Sequence, residues 1–307
     1  MMSHRTAFTA RRFLLGLLAV ALVAAAAGPA CAGEKPVFMW QVASETATVS
    51  LVGSIHVGKP DFFPLAEPFE KAFAAAPVLA VEVDMTDPVN LQKSAALMMQ
   101  KGMLPGDTTL QDMLAPELWQ RVETYAAENN VNLAMYSKLK PGIVAMVLVL
   151  EEFKKQGFDP ELGIDKHFLD AAREQGKEIR ELESVEAQLD LFLSIDDKLD
   201  DILVAEFLDQ MEDIVPITEE MVGLWQAGDV VGLDRFLQDQ VGEDPAMAAF
   251  YRALLDDRNV KMAEKIDEWL KGDTDIYVVV GAGHFSGPNG IIGLMEEKGY
   301  TVEQMRH

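Results

Sequence analysis

Cysteine is nearly absent from this 307-residue chain. Cys31 is the only one, which excludes an intramolecular disulfide framework and any cysteine-based zinc site. Positive charge is scarce as well. Against 50 Asp plus Glu stand 26 Lys plus Arg, a formal net charge of −24. Nucleic-acid binding needs clustered Lys and Arg on phosphates, so a nucleic-acid partner is not expected. The same deficit disfavours adsorption to an anionic membrane surface. Beyond the N-terminal stretch no apolar run is long enough to span a bilayer. What is present, 49% hydrophobic and 25% charged residues, is the balance of a globular chain, and the length suffices for a large core.

The first 32 residues read as an address. Arg5, Arg11 and Arg12 precede an apolar run over 13–28, and Ala30-Cys31-Ala32 supplies small residues in an A-x-A arrangement. This is the pattern of a secretory signal peptide, with cleavage expected after Ala32. Twin-arginine export through Arg11-Arg12 and lipidation at Cys31 are the rival readings of the stretch, with an uncleaved anchor a further one. All place residues 33–307 outside the cytoplasmic membrane, most simply in a bacterial periplasm. Removing the signal takes three arginines and no acid, so the mature chain is more acidic still.

In the mature chain, β-prone runs at 37–42 and 46–52 read as a hairpin. A helix over 66–76, stopped at Pro77, leads into a buried strand over 78–84, the pattern of a parallel βαβ unit. Helical periodicity fills 88–157. A helix opens at Gly163 and is expected to end at Gly176, a strand covers 179–183, and helices resume over 185–271. Residues 276–280 form the clearest buried strand, followed by a helix near 290–298 and a strand over 301–305. The expectation is one α/β domain over 33–307 with helical insertions at roughly 88–160 and 185–270.

One short pattern occurs twice. Gly53-Ser54-Ile55-His56 and Gly281-Ala282-Gly283-His284 each follow an apolar strand directly. Glycine at a strand's carboxyl end permits a sharp turn and a close backbone approach, and ligands of open α/β sheets bind beyond such ends. Two such strands side by side would direct two imidazoles into one pocket. A single Gly-x-x-His is a weak signal. Two copies carry more weight where the other mature histidines are only His167 and the terminal His307. Glu82 and Asp84 close one strand and share a face in strict alternation, and Glu183 closes another. Two imidazoles and a carboxylate suit a divalent metal with an open position, manganese, cobalt or zinc rather than copper. A metal-free site with histidine as general base is the alternative. The same histidines could hold haem iron, beside an apolar surface made adaptable by 16 methionines. Arg258, in Asp256-Asp257-Arg258-Asn259, reads first as an exposed helical arginine paired with nearby acids. As a site residue it would bind a carboxylate or stabilise an oxyanion.

These blocks together make the chain resemble the TraB/PrgY/GumN family, which includes the TIKI metalloproteases and is distantly similar to erythromycin esterase and the haem-binding ChaN proteins. The resemblance runs through Leu51 to Gly58, Val81-Glu82-Val83-Asp84, Leu162-Gly163-Ile164-Asp165, Leu182-Glu183-Ser184, Gln188-Leu189, Arg258-Asn259 and Val279 to Gly287. It implies a mixed sheet built from two related β-α halves with a large helical insertion. It also implies metal-dependent peptide hydrolysis, with a peptide or small molecule as substrate. His56 and His284 would be metal ligands or catalytic groups, Glu82 a ligand or general base, and Arg258 a substrate or transition-state partner. Glu183 and Asp165 join Arg258 as candidate substrate-binding residues. The GumN branch adds polysaccharide biosynthesis as an accessory role. Phe285 after His284, where many relatives have leucine, and Gly142 after Pro141, where an aromatic is common, are the departures.

Overall fold

The computed structural model describes residues 34–195, 197–211, 213–241 and 245–307. The signal-peptide reading, with Cys31 and Ala32, lies outside the described residues.

The strands are β1 (Pro36–Ala43), β2 (Thr48–Ser54), β3 (Val78–Val81), β4 (Glu178–Glu181), β5 (Ile276–Gly281) and β6 (Val302–Arg306). They make one mixed sheet in the order β4-β3-β5-β2-β1-β6. β4, β3, β5 and β2 run parallel, while β1 is antiparallel to both β2 and β6. The parallel centre is covered on both faces, so its strands β3 and β5 read as near-continuous apolar runs. All of β3 is buried, and so is β5 from Ile276 to Val280. The two edges are charged instead. Glu178-Ile179-Arg180-Glu181 and Val302-Glu303-Gln304-Met305-Arg306 discourage further strand pairing.

Between β2 and β3 lies α1 (Glu67–Ala75). Between β3 and β4 lie α2 (Pro88–Leu97), α3 (Leu110–Met113), α4 (Pro116–Asn129), α5 (Pro141–Lys155) and α6 (Ile164–Gln175). Between β4 and β5 lie α7 (Val185–Leu193), α8 (Asp197–Gln210), α9 (Ile214–Gln226), α10 (Val230–Val241), α11 (Pro245–Leu254) and α12 (Asp256–Leu270), and α13 (Ile291–Glu297) precedes β6. Helices α2, α4 and α5 each open on proline, whose missing N–H is one that no helix start can satisfy internally. Gly176 ends α6 at φ 65°, as its position in the sequence predicts. No helix among the described residues is long and apolar enough to cross a membrane.

The chain forms the α/β fold and the hairpin that its patterning predicts. β2, α1 and β3 form the expected parallel βαβ unit, with the late strand β5 inserted between its two strands. One local expectation needs correction, because β3 stops at Val81, short of Asp84. Past that point Glu183 N–H donates to the Glu82 carbonyl at 2.9 Å, and the chain then bends at Val83-Met85. Glu82 and Asp84 consequently take different partners. Asp84 turns to Arg173 at 2.6 Å and to Thr86 at 2.7 Å.

Gly142, one of the departures, accepts close approach from α8. A Cβ there would lie 2.6 Å from Asp200 Oδ1, which accepts the Gly142 N–H at 2.8 Å. The Phe285 ring stacks on Trp40 at 5.3 Å.

Candidate active site

The site is assembled at the carboxyl ends of the parallel strands. β2 and β5 are adjacent, with Ser54 opposite Gly281 in register. Both Gly-x-x-His blocks therefore leave the sheet at the same level, side by side. The first block is braced from behind by Gly163 and Ile164 at the start of α6. Ile164 N–H donates to the Ile55 carbonyl at 2.9 Å. A Cβ on Gly163 would stand 2.5 Å from the His56 carbonyl oxygen, so only glycine lets α6 approach this closely.

Helix α6 then presents Asp165, whose Oδ1 lies 3.0 Å from His56 Nδ1. His56 is the open side of the site, with its side chain 56% exposed. The Asp165 carboxylate raises His56 to about 9, with a smaller push the same way from Glu82. His284 is the closed side, 3% exposed. Its Nδ1 meets Asn259 Oδ1 at 2.6 Å and its Nε2 stands 3.7 Å from Glu82 Oε1. Burial lowers His284 to about 4, more than the Glu82 charge can restore, so its ring is neutral at pH 7.

Glu82 is buried and fully engaged. Oε1 accepts the Gly281 N–H at 2.7 Å, while Oε2 accepts from Arg258 at 2.5 Å and from Gln188 Nε2 at 2.9 Å. Burial pushes its carboxyl up, but the two imidazoles, Arg258 and the Gly281 amide outweigh this and hold it at about 2. Arg258 itself is 8% exposed, which corrects the expectation of a surface arginine. Its Nε and Nη2 fork onto Glu183 at 2.6 to 3.0 Å, and Nη1 donates to the Leu254 carbonyl at 2.9 Å. A buried cation of this kind persists only with such partners. Glu183, expected to touch substrate, is placed against this guanidinium, and Asp165 against His56.

Gly281 marks the meeting point. A Cβ built there would lie 3.3 Å from Glu82 Oε1, 3.4 Å from His56 Nε2 and 3.6 Å from His284 Cδ2. The structure thus brings together His56, Glu82, His284, Arg258, Glu183 and Asp165. His167 lies elsewhere, against Phe63 and Glu70.

Two contributors escape a reading of the sequence for chemistry. Gln188 lies one turn into α7 and reaches Glu82. Asn259, next to Arg258 on α12, reaches the opposite side of the site. Both sit inside the resembling blocks, and that proximity is their only signal.

The donor types, two imidazoles and a carboxylate, are those of a divalent-metal site. Each imidazole has its Nδ1 tied to an oxygen, which is how metal-ligating histidines are commonly oriented. The spacing is looser. Among the described residues no group of three or more His, Cys, Asp or Glu side chains is arranged as a metal cage.

The sequence that carries this arrangement matches a known family. The TraB/PrgY/gumN profile covers residues 38–304, and the chain belongs to that family. Among its relatives is the uncharacterized protein YbaP of Escherichia coli (strain K12), 28% identical over 77% of this chain and 83% of its own length. Metalloprotease TIKI1 of Danio rerio is 25% identical over 87% of this chain, which spans 62% of that protein. No solved structure matches.

Proposed function

We propose that this protein is a metal-dependent hydrolase, peptidase-like in its chemistry, acting outside the cytoplasmic membrane at the His56–Glu82–His284 site. One observation carries the reading. His284 Nε2 stands 3.7 Å from Glu82 Oε1, and His56 Nε2 and Glu82 Oε1 both come within 3.4 Å of one point, the place a Cβ on Gly281 would occupy. Two electron-rich atoms held face to face are a seat for a cation. The printed name of the TIKI1 relative, a metalloprotease, supports the same chemistry. His56, His284 and Glu82 would hold manganese, cobalt or zinc. The ion would polarise the scissile carbonyl and lower the pKa of a bound water to about 7.

The protein's own groups have separable tasks. Glu82 supplies negative charge at the reacting centre. Arg258 and Gln188 fix its Oε2, so that Oε1 faces inward. Glu183 completes the neutralisation of Arg258, and Asp165 orients His56. Arg258, Glu183 and Asp165 are therefore positioning residues in this reading.

A second reading needs no metal, and the opposed shifts of the two histidines favour it. Paired groups driven apart in pKa are a common acid–base arrangement. Here His284 would take the proton of water and an imidazolium at His56 would protonate the leaving group. A base held near 4 is weak at neutral pH, which is why the metal reading stands first.

The test is hydrolysis of internally quenched peptides by protein purified without an affinity tag, with and without added manganese, cobalt or zinc. Metal-stimulated turnover that is lost in His56→Ala and His284→Ala supports the proposal. Persistent inactivity with every ion overturns it.

The alkaline limb separates the two readings. His56 must shed its proton to bind metal, so metal affinity should rise as pH climbs toward 9. Without metal, His56 is the acid, and turnover should instead fall as pH passes 9. Both readings require a neutral His284 and lose activity as pH falls through about 4.

A further inference from the structure

The two Gly-x-x-His blocks are near copies, yet their histidines have different partners. His56, on the open side, faces the Asp165 carboxylate at 3.0 Å. His284, on the closed side, faces the Asn259 amide at 2.6 Å. An amide can present either its oxygen or its nitrogen, so this contact alone does not say which ring nitrogen of His284 carries the hydrogen.

The other end of the amide decides. Asn259 Nδ2 donates to the Asn289 carbonyl at 2.9 Å, and a carbonyl oxygen can only accept. Oδ1 is therefore the atom turned to the ring, and His284 Nδ1 must be the donor. Asn289 is tied in turn, its Nδ2 donating to Asp256 Oδ2 at 3.0 Å. Asp256 and Asn259 both lie in the first turn of α12. One helix end thus grips the imidazole and the loop that follows it, while the neighbouring Arg258 grips Glu82.

We propose that Asn259 is a positioning residue that locks His284 in the Nδ1–H tautomer, keeping Nε2 an unprotonated donor atom aimed at Glu82 Oε1. This rests on the reading of His284 as a ligand or base and deepens it, because the two histidines become chemically distinct groups. It also explains the choice of amide. Asn259 is 1% exposed and His284 already has a carboxylate on its other side. An aspartate at 259 would bury a second negative charge and could not donate to Asn289.

The tautomer is directly observable. In 15N-labelled protein, long-range 1H–15N correlations of the imidazole report which nitrogen bears the hydrogen. The wild type should show His284 Nε2 unprotonated. Asn259→Leu should shift the ring toward the Nε2–H form, which can donate to Glu82, while Asn259→Asp, which keeps an acceptor, should retain Nδ1–H. Zinc affinity by calorimetry should fall about 10- to 100-fold in Asn259→Leu, the usual cost of losing a partner behind a ligand, and less in Asn259→Asp.

An Nε2–H signal in the wild type overturns the proposal, and so does an Asn259→Leu protein whose Nε2 stays unprotonated. If Asn259→Leu does not fold, the wild-type spectrum decides alone. Failure of the hydrolase reading is a separate result, read as no peptide turnover with any added ion whatever the spectrum shows.

Discussion

Replacing Arg258 by methionine is expected to lower the unfolding free energy by about 3–5 kcal/mol, the usual cost of removing one partner from a buried ion cluster. The side chains involved are almost wholly removed from water, with Arg258 at 9%, Glu82 at 8% and Glu183 at 6% exposure. Methionine fills much of the same volume, so the loss measures the stranded carboxylates more than a cavity. Glu82 and Glu183 stand on neighbouring strand ends, joined by a backbone hydrogen bond of 2.9 Å, and neither can reach solvent. Two checks follow. Glu183→Gln combined with Arg258→Met should recover part of the loss, because one unpaired charge has gone. The deficit against wild type should also shrink on acidification. Native Glu82, held at about 2 against an ordinary 4.5, adds stability above 4.5 that disappears as pH falls through about 2. Without Arg258 one cause of that depression is gone, so Glu82 in the variant accepts its proton at higher pH than in the native protein. Urea unfolding at pH 7 and pH 3 reads both effects, and a loss below about 1 kcal/mol at pH 7, the range of an exposed pair, would contradict the arrangement.

Gly281→Ala should reduce peptide turnover by about 100-fold, the scale on which small misplacements of reacting groups act, while leaving the melting transition close to wild type. The backbone there is φ −51°, ψ 137°, which alanine adopts without strain. The added methyl would instead enter the point where Glu82 Oε1, His56 Nε2 and His284 meet, at 3.3 to 3.6 Å from each residue. On this account Gly281 matters for the space it leaves at the site and not for its conformational freedom. Circular dichroism melting beside the peptide assay separates the two outcomes. Unchanged turnover would place the chemistry away from this point.

The same glycine shows how far the sequence could be read. Its place after an apolar strand, echoed at Gly53, was enough to pair the two histidines, because buried parallel strands announce themselves as continuous apolar runs. The parallel register of β2 and β5 then follows only in three dimensions. A strand near residue 276 entering between two strands of the first hundred residues is a long-range pairing that local patterning does not encode. Arg258 was misread for a related reason. Asp256-Asp257-Arg258-Asn259 has the composition of a solvated helix start, and its burial comes from Glu183 and Glu82, 75 and 176 positions away. Strict alternation placed Glu82 and Asp84 on one face, and it failed because the strand ends at Val81. Asn259 and Gln188 gave no chemical signal of their own, since amides acquire a role only from what they face.

The most direct test of a shared site is a crystal soaked with zinc and examined at the zinc absorption edge. The account predicts an anomalous peak bounded by His56 Nε2, His284 Nε2 and Glu82 Oε1, lost in His284→Ala crystals. No peak at that point, or zinc bound only at surface carboxylates, would contradict it.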